Sequence, residues 1–270
     1  MRYCRFSSAH DDFRISHYAL VEEREGELWA VTAMMPPEED VTAQGARMLD
    51  LDPTPISRLR LLPAVAPSKI LCVGRNYREH AAELGNEAPK EPLIFLKPPS
   101  SLLGSGGIVR MLALSKRVDY EGELGIVIGR RCRNIGPEED VRQYIRGYTC
   151  VNDVTARDLQ KSDGQWTRGK GFDTFCPVGP IVSDEIDPVG GEAVTVTTEV
   201  NGELKQTGTT ADFIFGIPEL LRYISAFATL EPGDLIPTGT PAGVGAVSPG
   251  DRIQVRVAGV GVLENVAQPG

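Results

Sequence analysis

The segment Asp119-Tyr-Glu-Gly-Glu-Leu-Gly-Ile-Val-Ile-Gly129 joins a pair of acids to an apolar strand, and its alternation decides how the chain is read. Strand side chains point alternately to opposite faces, so Glu121 and Glu123 share a face with Gly125, Val127 and Gly129. Leu124, Ile126 and Ile128 fill the other face. Two like charges side by side at the end of a buried strand are costly: they must be exposed, share a proton or hold a cation. Hard cations such as Mg²⁺ or Mn²⁺ prefer oxygen ligands, and a third carboxylate would suit them. Asp153 is the candidate, because it ends the apolar run Tyr148-Thr-Cys-Val just before Thr155-Ala-Arg-Asp-Leu-Gln begins a helical turn. The tetrapeptide Glu-Gly-Glu-Leu also occurs at 25–28, where Glu22, Glu23 and Arg24 precede it and a solvated hairpin turn is the reading.

Working outward, Lys69-Ile-Leu-Cys-Val-Gly and Pro92-Leu-Ile-Phe-Leu-Lys97 read as strands, the second stopped by Pro98-Pro99. Asn76 to Leu84 is helix-compatible and stops at Gly85. A second helix is expected from about Pro137 to Ile145, with proline in its first turn. Asn201-Gly202 between Val194–Val200 and Glu203–Gln206 signals a hairpin. Pro218 to Phe227 has helical apolar spacing through Leu220, Leu221, Ile224 and Phe227. Leu235-Ile-Pro-Thr, Arg252-Ile-Gln-Val-Arg-Val and Gly261-Val-Leu return to strand. Near the start, His17-Tyr-Ala-Leu-Val and Leu28-Trp-Ala-Val form another hairpin. The prolines of Asp52-Pro-Thr-Pro and Leu62-Pro-Ala-Val-Ala-Pro favour extended backbone and place a boundary near 52–67. The expected organisation is α+β, mainly β, with a small β-rich domain at 1–60 and a larger one at 61–270.

Composition narrows the function. The chain has 270 residues, 41% hydrophobic and 24% charged, which is ordinary for a globular protein. Its 28 Lys+Arg against 37 Asp+Glu leave a net charge of −9, which disfavours nucleic-acid and anionic-membrane partners. The N-terminal MRYCRFSSAHDD has no apolar core, so no signal peptide is expected, and no stretch is long enough to span a bilayer. The 5 cysteines are far apart with no C-x-x-C, which fits a reduced cytoplasm better than a disulfide framework or zinc knuckle. The 3 histidines, His10, His17 and His80, are too few for a His-rich metal site. Thr238-Gly-Thr-Pro-Ala-Gly-Val-Gly lacks the lysine and following helix of a phosphate loop. It reads instead as a tight loop that lets backbone approach a substrate.

From about Lys69 to Gly261 the chain resembles the fumarylacetoacetate hydrolase family in its short, bacterial-type branch. The likeness lies in Lys69-Ile-Leu-Cys-Val-Gly-Arg-Asn-Tyr, Pro92-Leu-Ile-Phe-Leu-Lys-Pro, Asp119-Tyr-Glu-Gly-Glu-Leu, Asn152-Asp-Val-Thr-Ala-Arg-Asp-Leu-Gln, Lys170-Gly-Phe-Asp-Thr-Phe-Cys-Pro-Val-Gly-Pro and Thr238-Gly-Thr-Pro-Ala-Gly-Val-Gly. The resemblance implies the family's mixed β-sandwich roll with a smaller N-terminal domain, and a homodimer. It implies Glu121, Glu123 and Asp153 as ligands of Mg²⁺ or Mn²⁺ and Lys170 as a catalytic lysine. By itself, Lys170 within Arg168-Gly-Lys-Gly would read as a solvated loop charge. Substrate contacts are expected at Arg75, Arg157, Gln160 and Thr240, with Arg157 and Gln160 on one helical face. His80 and Glu83, three apart on a helix, read by spacing as a surface pair. The resemblance makes them a catalytic histidine and its orienting carboxylate on a short lid, and a histidine held this way is a base near neutral pH.

The chemistry so implied is cleavage of the C3–C4 bond of an acylpyruvate-type or oxaloacetate-type 2-oxo acid, through an enolate. The alternative is isomerisation of a 2-hydroxydienoate such as 2-hydroxyhepta-2,4-diene-1,7-dioate. More remote are a non-catalytic β-roll protein that binds a metal or ligand and a structural β-roll protein whose carboxylates are solvated strand ends. The lid, 76–84, is expected to move, since Gly74 and Gly85 flank it and its apolar anchors are only Ala81, Ala82 and Leu84.

Overall fold

Alternation along Gly122–Ile128 organises two cores, one on each face of a large sheet. The computed structural model describes residues 1–7, 15–36, 49–83, 85 and 87–270. Among these, the N-terminal strands are β1 (Arg2–Ser7), β2 (Ser16–Arg24), β3 (Glu27–Met34), β4 (Leu49–Pro55) and β5 (Arg60–Leu61). Then come β6 (Ile70–Gly74), helix α1 (Arg78–Glu83), β7 (Leu93–Lys97), β8 (Leu102–Leu103), β9 (Ile108–Met111), β10 (Val118–Tyr120), β11 (Gly122–Ile128), β12 (Ile145–Asn152) and β13 (Thr155–Ala156). Helices α2 (Arg157–Asp163) and α3 (Thr167–Lys170) precede β14 (Cys176–Ser183) and the hairpin β15 (Thr195–Val200) and β16 (Glu203–Thr209). Helix α4 (Ile217–Phe227) leads to β17 (Leu235–Pro237), β18 (Gly245–Ala246), β19 (Arg252–Val257) and β20 (Gly261–Pro269).

The large sheet runs β4-β3-β2-β1-β14-β12-β11-β17-β6-β7, with β5 added on β1 and β8 on β14. The N-terminal hairpin therefore continues the sheet through the antiparallel pairing of β1 with β14. A second, five-stranded sheet, β16-β15-β19-β20-β9, packs with α4 over one face. That core joins Leu124, Ile126 and Ile128 of β11 to Val196, Val255, Val257 and Leu263, and to Leu220, Leu221 and Ile224 of α4. The architecture is α+β, mainly β, and sandwich-like, as expected. Val127, Val151, Cys72, Cys176, Val178 and Leu235 form a separate core on the opposite face. Glu123 and Glu121 belong to this second face by strand parity, away from the sandwich interior.

Gly122 shows why the acids are spaced by a glycine. Its own side faces the second sheet, where a Cβ would lie 2.0 Å from Thr198 Oγ1 and 3.2 Å from Val255 Cγ1. Any side chain there would push the two sheets apart and carry both glutamates with it. Local turn chemistry is equally direct: Glu25-Gly26 and Asn201-Gly202 both take left-handed backbone and close the hairpins expected from sequence.

One expected helix is corrected, and the one expected at Pro218–Phe227 is present as α4. Residues 137–145 do not form an α-helix: Asp140 caps a single 3₁₀ turn at Val141–Tyr144, and Ile145 already pairs with Ile128 in the sheet. Strand pairing of Ile145 outweighs the local helical preference. On α4, Leu220, Leu221 and Ile224 are buried, but Phe227 at the last turn is 54% exposed.

Gly122→Ala is expected to destabilise the protein by about 1–3 kcal/mol in urea denaturation through overpacking. Thr198→Ala should recover part of that loss, because the Thr198 hydroxyl is buried without a hydrogen-bond partner among the described residues. Alkaline pH should also weaken the fold. Burial pushes the thiols of Cys4 and Cys150 up to about 12 and that of Cys132 to about 11, from an ordinary 9.0. A raised folded-state pKa stabilises fully below the unfolded value and is lost as pH climbs toward the folded one. Between pH 9 and 11, stability should thus fall by about 1.4 kcal/mol per thiol per pH unit, read by chemical denaturation.

Candidate active site

Antiparallel pairing of β11 with β12 places Gly122 opposite Asn152, so Asp153 emerges beside Glu121. Asp153 N–H donates to the Glu121 carbonyl at 2.8 Å, and the Asn152 side chain accepts from Glu121 N–H at 3.0 Å. The pairing thereby gathers Glu121, Glu123 and Asp153, whose carboxylate oxygens lie within 4.8 Å of one another. All three are buried.

Cations come from three other elements. Lys170, at the end of α3 and 2% exposed, donates to Glu121 Oε2 at 2.7 Å and also to Asp153 Oδ2. It is no solvated loop charge. Lys97, at the end of β7, donates to Asp153 Oδ1 at 2.6 Å and to the Val154 carbonyl at 3.2 Å. Sequence reading gave Lys97 no role; its signal was a lysine completing an apolar strand immediately before Pro98-Pro99. Arg157, opening α2, donates from Nε to Asp119 Oδ2 at 2.8 Å, from Nη2 to Glu121 and from Nη1 to Gln160 Oε1 at 2.7 Å. Buried Asp119, which also accepts from Arg117, was likewise not anticipated. Arg157 therefore orients Gln160 and Glu121 while itself held on three sides.

The carboxylates are electrostatically unequal. Burial opposes ionisation of Glu121, but Lys170, Arg157 and His80 hold it well below the usual carboxylate range. Burial pushes Glu123 far the other way, and the neighbouring Asp153 and Glu121 add to the push. Its one hydrogen bond among the described residues is from Gly239 N–H at 2.8 Å. Burial disfavours the Lys170 ammonium, yet Asp153 and Glu121 raise its pKa, so it stays charged.

The glycine-rich loop after β17 completes this wall. Gly239 takes φ +100°, which lets its N–H reach Glu123. Thr240 Oγ1 donates to the Gly122 carbonyl at 2.8 Å and accepts from Gln206 Nε2 at 2.7 Å. Gln206 also receives Gly122 N–H on Oε1, a bracing role not legible in its strand. The fourth wall is the segment after β6. His80 is 4% exposed rather than a surface side chain, with Nδ1 3.3 Å from Glu83 Oε2. Glu83 accepts from Gly243 N–H at 3.1 and 3.2 Å, tying α1 to the glycine-rich loop. Asn76 is pinned through its amide to Phe215 and to the Thr238 carbonyl, and Tyr77 packs edge-on against Phe213. Gly74 leaves room for Trp166, whose Cζ3 would stand 2.8 Å from a Cβ there. Chain movement is thus opposed up to Tyr77; Leu84 lies outside the described residues. Between these fixed points Arg75 is forced to φ +56°, at a cost of about 1–2 kcal/mol for a side chain other than glycine. Its guanidinium carbon lies 5.7 Å from the Trp166 ring centre.

The donor set fits a hard divalent cation: it is all oxygen, buried, and contains in Glu123 a carboxylate crowded by two others and short of donors. Fold and site together define a β-sandwich enzyme built around a buried carboxylate centre under a short helix. The chain belongs to the fumarylacetoacetate hydrolase family: the model for "Fumarylacetoacetate (FAA) hydrolase C-terminal" matches residues 69–268. It is similar to the oxaloacetate tautomerase YisK of Bacillus subtilis, 45% identical over 75% of this chain and 71% of that protein. The mitochondrial oxaloacetate decarboxylase of Dictyostelium discoideum is 46% identical over 71% of this chain and 89% of that protein. The solved 2-hydroxyhepta-2,4-diene-1,7-dioate isomerase of Mycobacterium marinum is 39% identical with a TM-score of 0.84, covering 100% of this chain and 98% of its own.

In chelator-treated buffer, Lys97→Met and Lys170→Met should each lose about 1.5–3 kcal/mol of stability, since each removes one of the two cations that bond Asp153. Glu123→Gln should instead leave the melting temperature unchanged or raise it, because it relieves like-charge crowding.

Proposed function

We propose that this protein is a Mg²⁺- or Mn²⁺-dependent enzyme of 2-oxo acids that generates an enolate at C3, cleaving the C3–C4 bond of an oxaloacetate-type or acylpyruvate-type substrate. The observation that carries this reading is the buried triad of Glu121, Glu123 and Asp153 with Lys170 bridging two of its carboxylates. These three residues would hold the ion, which when bound supplies Lewis acidity toward a 2-oxo carboxylate.

The protein's own groups account for the rest. Lys170 remains an ammonium and can hold negative charge developing on the substrate oxygen. Gln160, held by Arg157, and the loop at Thr240, bonded to the Gly122 carbonyl between the two glutamates, would orient the substrate head. With Glu83 accepting at Nδ1, the other ring nitrogen of His80 is the one left to exchange a proton. In hydrolysis His80 takes a proton from water as its oxygen attacks the C4 carbonyl; the C3–C4 electron pair passes to the enolate and C3 is then protonated. In decarboxylation the same electron pair stays behind as CO₂ leaves, and no water is activated. The similarity to the oxaloacetate decarboxylase favours such substrates. A second reading, isomerisation by proton transfer along a 2-hydroxydienoate without C–C cleavage, draws support from the likeness to the dienedioate isomerase across the whole chain. Free buried cysteines fit a reducing cytoplasm, and we propose a homodimer by analogy; sedimentation at the 29.2 kDa monomer mass would overturn the latter.

A divalent-ion-dependent screen of oxaloacetate, acylpyruvates and hydroxydienoates tests the function directly, with turnover restored by Mg²⁺ or Mn²⁺ after chelation as the expected result. Glu123→Ala should abolish that activity while the fold persists; full activity of this variant in chelator would sink the metal assignment. For hydrolysis, His80→Ala should lower kcat by ~10²–10⁴, and Glu83→Gln by less because the base remains. Decarboxylation should suffer less from both.

A further inference from the structure

Helix α1 carries His80 but has little packing to hold it in place. It is 6 residues long, and of its described side chains His80 is buried while Arg78, Glu79, Ala82 and Glu83 are exposed. Apolar contacts therefore cannot set the imidazole, and polar ties must. Glu83 supplies them. Its Oε2 stands 3.3 Å from His80 Nδ1, and both its oxygens accept Gly243 N–H, at 3.1 and 3.2 Å. Whatever fixes Gly243 thus decides where Glu83 sits.

Gly243 is held from two sides. Its carbonyl accepts the Tyr120 hydroxyl at 2.9 Å. Its φ is +100°, and it presses on β16 so closely that a Cβ would stand 2.1 Å from the Lys205 carbonyl oxygen. Gly245, paired with Tyr120 across β10 and β18, clears the ring: a Cβ there would lie 2.8 Å from the hydroxyl oxygen and 3.2 Å from Cζ. The last glycines of Thr238-Gly-Thr-Pro-Ala-Gly-Val-Gly245 thus make room for β16 and for Tyr120. Tyr120 is itself buried, between Asp119, which is bonded to Arg157, and Glu121 of the acid triad. We infer that Tyr120 is a positioning residue for the proposed reaction: its hydroxyl holds Gly243, Gly243 holds Glu83, and Glu83 orients His80. The inference deepens the proposed function and rests on it. One run of chain, 119–123, then sets both the acids and, through the glycine-rich loop, the base.

Tyr120→Phe removes the hydroxyl and keeps the ring that packs on Gly245, so the variant should fold. In the metal-loaded enzyme, kcat for acetylpyruvate hydrolysis should fall roughly 3–10-fold, the worth of one neutral hydrogen bond, with KM changed less than about twofold. Oxaloacetate decarboxylation, which activates no water, should change less than about twofold. In a Glu83→Ala background the same substitution should cost hydrolysis less than about twofold, because the group it acts through is gone. Hydrogen exchange gives a readout without substrate: backbone amides of 78–83 should exchange roughly 3–10-fold faster in Tyr120→Phe, while those of β11 keep the wild-type rate. Wild-type kcat in hydrolysis, or wild-type exchange over 78–83, would overturn the positioning role. Equal losses in both reactions, or an undiminished loss in the Glu83→Ala background, would overturn it as well, since Tyr120 would then act on the site in general and not through Glu83. A wild-type enzyme inert toward every 2-oxo acid would defeat the proposed function, and exchange over 78–83 would by itself still decide whether Tyr120 holds the helix.

Discussion

Asp119, Glu121, Glu123 and Asp153 are carboxylates enclosed at the edge of a β-sheet core, and their charge must be balanced where water cannot help. Lys97 arrives from β7, Arg157 from the start of α2 and Lys170 from the end of α3. Each cation bonds at least one of the acids, so these separate elements are tied to the end of β11. The arrangement is close to neutral except at Glu123, where burial and neighbouring carboxylates favour either a proton or a cation. That residual imbalance sets Glu123 apart from the paired carboxylates around it.

Two faces of one strand make this possible. Leu124, Ile126 and Ile128 anchor β11 in the sandwich core, which fixes the backbone to within the tolerance of close packing. Glu123 projects from the opposite face, with Gly125 beside it allowing Val151 and Leu235 to close in from neighbouring strands. Gly122 lets the second sheet press on the back of the acidic pair. The rigidity of the three clustered carboxylates thus comes from apolar packing on the side of the sheet they do not face.

The helix carrying His80 is a less constrained part of the same design. It is short, and its contacts with the site run through Glu83 to the backbone of Gly243. Asn76 and Tyr77 anchor its entrance, a point the sequence reading missed by treating the movable segment as beginning at Asn76. A glycine flanking a short helix has the form of a hinge; Gly74 is instead a contact surface for Trp166. Glycine permits both roles, and only the neighbours tell them apart.

Much of the protein was legible one-dimensionally. Period-two alternation from Gly122 to Ile128 reported which acids share a face, Asn201-Gly202 reported a hairpin, and ordered motifs marked Glu121, Glu123, Asp153, Lys170 and His80. Those signals are local because backbone sterics and side-chain direction act over a few residues. The failures were also physical: residues 137–145 had helical character, but pairing of Ile145 with Ile128 outweighed it. No sequence signal gives Lys97 a partner, and Asp119 is one of 37 acidic residues in the chain. Their partners Asp153 and Arg157 are distant in sequence, and charge pairing depends on distance in space. Sequence by itself determined which groups were present and which face of a strand they shared; the tertiary structure alone decided which charges met, because burial and Coulombic attraction are set by neighbours that folding brings together.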